Sequence, residues 1–128
     1  MILSIRAVAL WSLGYPEAAL RDSDDALKDA REIGQAATLM YALFHITIPY
    51  TLCSKLAAAA AQAQELLVLA DEMGSAFWRA SGMMNEGSVL ALTGRASDAI
   101  EMLISGSAAH RTTRSTLWLP LYLSLIHI

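Results

Sequence analysis

A 40-residue step runs through this chain. Gly14 is followed by Ser54 and Gly94, Ala19 by Ala59 and Ala99, Leu20 by Ala60 and Ile100, and Ala30-Arg31-Glu32-Ile33-Gly34 by Ala70-Asp71-Glu72-Met73-Gly74. A fixed spacing of that size restricts the fold to stacked units, each of which buries its apolar face only against its neighbours. Inside each unit the apolar residues fall at helical spacing and a turn divides the unit in two. The expectation is an all-α array of antiparallel helical hairpins, about 40 residues per repeat. The units are 1–34, 35–74 and 75–114 with a partial fourth at 115–128, together one repeat domain and a fragment of a longer array.

The first helix, Met1 to Leu13, is apolar almost all round and must be covered. It begins without a cap, which leads us to expect that the native chain extends upstream. Gly14-Tyr15-Pro16 forms the turn, with Gly free to take φ > 0 after one helix and Pro suited to the start of the next. A second helix is predicted over Pro16 to Ile33. Asp22, Asp25 and Asp29 form an acidic solvent stripe on it, with pairs Arg21–Asp25 and Lys28–Glu32 four residues apart. Next come a helix from Gln35 to Leu52, a turn at Cys53-Ser54-Lys55, and a helix from Leu56 to Met73. Pro49 should kink or end the first of these, and the run Ala57 to Ala61 reads as packing surface. Ser75 is expected to cap a helix to about Thr93. Gly94 then turns the chain into a helix ending near Ser105 to His110. A last helix starts near Ser115 and carries Trp118, 40 residues after Trp78. It leaves Leu117, Leu119, Leu121, Leu123, Leu125 and Ile126 without a neighbouring unit. Leu123 to Ile128 also matches what a transposon-end adapter of sequencing libraries encodes in one frame, which marks it as a candidate non-native tail.

Charge excludes one class of partner. Nine Lys+Arg against 12 Asp+Glu give a net charge of −3, without the basic excess that nucleic-acid binding requires. The hydrophobic share of 55% and mean hydropathy of +0.43 raise the question of a membrane. Ile33 to Ser54 is long enough to cross one, but Gly34, Gln35, Thr38, His45, Thr47, Pro49 and Thr51 are scattered along it, so a buried helix is expected instead. The N-terminus lacks the pattern of a signal peptide. Cys53 is the single cysteine, which makes a reducing cytoplasm the natural compartment.

The motif search yields no catalytic residue, cofactor or metal site. His45 and Cys53 lie about 12 Å apart along one helix, too far to share an ion. Asp22-Ser23-Asp24-Asp25 lacks the glycine of a calcium loop and has Leu27 in its place. Gly82 and Gly87 fall inside a predicted helix with no Gly-Lys-Ser/Thr after them. Nucleophilic catalysis would have only His45, His110 and His127 as imidazole bases and shows no motif. Trp78 and Trp118 read as wedges between units or as ligand-facing aromatics on a concave wall.

Leu13-Gly14 with Tyr15, Ala18-Ala19 and Ala26-Leu27 resembles tetratricopeptide repeats, although those have 34 residues per unit and the middle unit here has Ser54 and Leu56 in place of Gly and Tyr. The strings Ala26 to Gly34, Ala37 to His45, Ala91 to Ala96 and Ser115 to Pro120 are similar to the C-terminal repeat region of large bacterial proteins. In those proteins a class III adenylate or guanylate cyclase domain and a P-loop ATPase-like domain precede the repeats. The resemblance implies a right-handed α-solenoid acting as a non-catalytic scaffold in a cytoplasmic signalling protein, touching a protein partner or other domains of its own chain. A small-ligand-sensing repeat domain of a transcriptional or signalling regulator is the alternative. In tetratricopeptide arrays the first helix of each unit lines the concave groove, which makes Tyr41, His45, Arg79, Asn85 and Trp118 the candidate contact residues. Gly14, Tyr15, Pro16, Ala19, Gly34, Ser54, Ala59, Gly74, Gly94 and Ala99 are the turn and packing positions.

Overall fold

The computed structural model describes residues 2–115 and 118–126. Among these, seven helices account for the regular structure: α1 (Ile2–Ser12), α2 (Pro16–Ile33), α3 (Ala36–Leu52), α4 (Leu56–Glu72), α5 (Ala76–Leu92), α6 (Ala96–Thr112) and α7 (Leu119–Ile126). The all-α expectation holds. Leu117, His127 and Ile128, which figured in the reading of the last helix and tail, lie outside the described residues.

The 40-residue step reappears in the backbone. Gly14, Ser54 and Gly94 have φ of 88°, 59° and 83°, and Gly34, Gly74 and Arg114 have φ of 72°, 64° and 63°. The bond that closes each hairpin turn repeats too: Tyr15 N–H donates to Leu10 O at 2.9 Å, Lys55 to Tyr50 O at 2.8 Å and Arg95 to Leu90 O at 3.1 Å. This is the 6→1 bond of a helix ended by a left-handed residue, which satisfies a carbonyl that the helix itself cannot. Pro16 follows at the first position of α2, where its missing N–H costs nothing.

The inner faces of the even helices share one register. Ala19, Ala59 and Ala99 are 0%, 0% and 1% exposed, and the buried positions continue as Ser23, Ala63 and Leu103, then Ala26, Leu66 and Gly106, then Ala30, Ala70 and His110. Small side chains there let two helices approach closely. Along the other layer α1 touches α3, α3 touches α5 and α5 touches α7, while each even helix packs on the odd helices beside it. The main apolar cluster joins Met40, Leu43, Phe44 and Ile48 of α3 to Leu66, Met84, Leu103, Leu119 and Tyr122.

Several local expectations are corrected. Pro49 does not end α3, which continues to Leu52. Every residue from Ala42 to Thr51 is buried, so packing on all sides holds the helix through the missing N–H. Hydroxyls of Thr47 and Thr51 add bonds to the carbonyls of Leu43 and Thr47, 2.7 Å each. The pairs Arg21–Asp25 and Lys28–Glu32 do not form. Asp22 is 7% exposed instead of solvated, because it faces α1 and receives Arg6 in a two-pronged bond, Nε to Oδ2 at 2.5 Å and Nη2 to Oδ1 at 2.8 Å. In the alanine run only Ala59 is fully buried, while Ala57, Ala60 and Ala61 face solvent. The sixth helix runs past His110 to Thr112, and the seventh begins at Leu119 rather than near Ser115. No helix among the described residues is long and apolar enough to cross a membrane.

Candidate functional site

Three of the five candidate contact residues come together and two do not. Tyr41, His45 and Trp118 line a cavity of about 250 Å³ along with Ile5, Phe44, Phe77, Trp78, Ser81, His110 and Ser115. It forms where α1, α3, α5 and the end of α6 converge. The helical period places Tyr41, Phe44 and His45 on one side of α3, and Phe77, Trp78 and Ser81 on the facing side of α5. Trp118 enters from the segment before α7 with φ of 69°. That is a left-handed conformation unusual for a bulky residue, held by the surrounding packing.

Ring edges and faces alternate around the space. Phe77 meets Trp78 at 4.9 Å and 78°, Tyr41 meets Trp78 at 6.3 Å and 79°, and Phe44 meets His45 at 5.0 Å and 87°. Trp118 stands edge-on to His45 at 6.0 Å, and Phe77 lies beside His110 at 5.2 Å. Perpendicular rings bring the positive edge of one against the negative face of the next. Among the described residues no Asp, Glu, Lys or Arg lines this cavity.

The polar groups are few and unevenly satisfied. His45 is 4% exposed and its Nδ1 bonds the Tyr41 carbonyl at 2.9 Å. Since a carbonyl only accepts, Nδ1 carries the hydrogen and Nε2 keeps a lone pair. Burial pulls the imidazole below the usual histidine range, partly offset by the Tyr41 carbonyl. His110, 2% exposed, is pulled down by burial as well, with the Ser115 backbone acting the other way. Ser81 donates to Phe77 O at 2.9 Å. Three buried side-chain atoms have no partner among the described residues: Gln62 Oε1 on α4, and, in the wall of this cavity, His110 Nδ1 and Trp118 Nε1. An unpaired buried polar group typically costs about 1–3 kcal/mol.

Asn85 lies elsewhere, 1% exposed beneath α7. Its amide donates to Phe44 O at 3.1 Å, and the Tyr122 hydroxyl donates to its Oδ1 at 2.5 Å. Both ends of the amide are thus used inside the protein. Arg79 stands on the surface, its Nε paired with Asp71 at 3.0 Å and its guanidinium against Met83 Sδ at 3.4 Å. Phe77, Ser81 and His110 were missed as site residues. His110 was legible in principle, since the step that aligns Ala19, Ala59 and Ala99 also carries Ala30 and Ala70 to position 110 and so places it on an inner face.

A larger groove of about 580 Å³ between α1, the end of α2 and the start of α3 is lined by Ile2, Ala26, Ile33, Thr38 and Ala42 among others. It carries no imidazole and a single carboxylate, Asp29. Among the described residues no group of three or more His, Cys, Asp or Glu is placed to hold a metal ion. Comparison with protein-family models, curated proteins and solved structures returned no match for this chain.

Proposed function

We propose that this chain is a stretch of right-handed, tetratricopeptide-like α-solenoid that acts as a non-catalytic scaffold. In this reading it holds a protein partner, or another domain of its own longer chain, in a bacterial cytoplasmic signalling protein bearing a cyclase and an ATPase-like module. The observation that carries it is the repetition of turn conformation and closing hydrogen bond at residues 14, 54 and 94. A chain whose turns recur in register builds an extended stack with a continuous inner wall, and such walls bind other chains. Direct nucleic-acid contact has no support in a net charge of −3.

Two experiments test it. Sequencing the native gene on both sides should show a cyclase or ATPase domain in frame upstream, and a stop codon immediately before Met1 would refute that context. In the full-length protein, replacing Arg79 and Trp118 together by Ala should weaken partner capture by roughly tenfold or more, as loss of an aromatic or Arg anchor does. Unchanged capture with unchanged helix content counts against the scaffold reading. The second reading, a small-ligand sensor, draws on one observation only, the ring-lined cavity.

A further inference from the structure

We propose that the cavity where α1, α3, α5 and the end of α6 converge, beside Trp118, is a binding site for an uncharged, planar aromatic molecule of one or two fused rings that carries a hydrogen-bond donor and an acceptor on one edge. The inference rests on the cavity alone and stands whether or not the scaffold reading does.

The lining selects the ligand. Seven rings surround the space, those of Tyr41, Phe44, His45, Phe77, Trp78, His110 and Trp118, and perpendicular walls of this kind accept a flat ring against a face or an edge. The volume of about 250 Å³ is just below the usual range for drug-sized ligands and suits a fragment. With no charged side chain among the described residues of the wall, a charged ligand would lose its hydration without repayment. The recognition edge is supplied by groups that the fold leaves over. Trp118 Nε1 can only donate, and it is buried without a partner among the described residues. His110 Nδ1 is equally unpaired, on a side chain 98% buried in the same wall, and His45 offers Nε2 because its Nδ1 is taken by Tyr41 O. A ligand with one acceptor facing the indole N–H and one N–H facing an imidazole nitrogen would satisfy what the protein itself does not. A purely structural core would instead pair these atoms or fill the space.

The test uses 7-azaindole, whose pyrrole N–H and pyridine nitrogen share one edge, and indene, its hydrocarbon counterpart of the same shape. Binding is followed on the whole chain by ligand-observed NMR and by the imidazole Cε1–H resonances of His45 and His110. Saturable binding of 7-azaindole is expected with a dissociation constant of roughly 0.1–1 mM, as fragments of this size achieve, together with shifts of both imidazole resonances. Indene should bind at least about fivefold more weakly, since it leaves the buried donor unpaired. Trp118→Phe keeps a ring and deletes the N–H, so it should bring the two affinities together; His110→Phe serves the same purpose if the first variant does not fold. Absence of saturable 7-azaindole binding to the folded wild-type chain overturns the proposal. So does equal affinity for the two probes, or saturable binding of tetramethylammonium in place of 7-azaindole, which would identify a cation cage.

Discussion

At the scale of single residues the molecule is decided by buried polar groups and where their bonds go. Asn85 ties α5 to α3 and α7 at once, accepting from Tyr122 and donating to Phe44 O. The phenol of Tyr122, 1% exposed, is held above its ordinary range by burial, which suits a group that must stay protonated to donate. His45 and His110 make the opposite demand. Each is held below the ordinary histidine value by burial, so the unfolded chain takes up protons that the folded chain refuses. Their contribution is therefore fully present above the unfolded value of about 6.5 and is lost as pH falls below it toward the folded values. The thermal midpoint should drop between pH 7 and pH 5, and His45→Phe with His110→Phe should flatten that part of the curve in calorimetric scans. Asp22 works at lower pH. The hydrogen bond from Arg6 holds its carboxyl below the usual range, so its stabilisation is present at neutral pH and fades only under acid, below about 3.9.

Elements are joined by close approach and reversed by turns, and each can be tested alone. A β-carbon added to Gly87 would lie 2.7 Å from Leu103 Cγ, and one on Gly106 would lie 3.1 Å from Met83 Cβ and 3.2 Å from the Met84 nitrogen. Alanine is a better helix former than glycine by about 1 kcal/mol, but overpacking costs about 1–3 kcal/mol. Gly87→Ala should accordingly destabilise the protein by about 1 kcal/mol in urea titration, although helix propensity alone predicts a gain. The turns make the reverse case. Ser54 holds φ of 59° where the equivalent Gly14 and Gly94 hold 88° and 83°, and a side chain in that region costs about 1 kcal/mol. Ser54→Gly should raise stability by about 0.5–1 kcal/mol. Gly14→Val should lower it through backbone strain alone, since nothing stands within 4 Å of its added β-carbon. Opposite signs in denaturant melts would establish the three turns as equivalent.

For the whole molecule, the apolar core is concentrated from α3 onward. The main cluster draws on α3 through α7, whereas α1 exposes Ile2 at 82% and α2 packs chiefly through alanines. In a stack stabilised by nearest neighbours, opening starts where there are fewest contacts. Hydrogen exchange should be slowest in α3 between Leu43 and Thr51 and fastest in α1 and the first turns of α2. Equal protection across α1 and α3 would show instead that the chain opens as one unit.

What the sequence determined by itself was everything set by local chemistry. Gly14, Gly34, Gly74 and Gly94 marked the ends of helices because only a residue without a β-carbon takes φ > 0 freely, and Ser75 capped α5 as read, accepting from the Trp78 N–H at 3.3 Å. The all-α class and most helix limits followed from those marks and from apolar period. Tertiary structure decided whatever depends on a neighbour across space. Pro49 remains in a helix because its environment outweighs one lost bond, and Asp22 leaves the solvent stripe because Arg6 lies sixteen residues away in sequence yet beside it in the fold. His110 entered the cavity for the same reason. Its place on an inner face is fixed by helical register, but the company of Phe77, Trp78 and Trp118 exists only once α5, α6 and the segment before α7 have packed. Local rules act through a few bonds of one backbone, and a binding cavity is a relation among several.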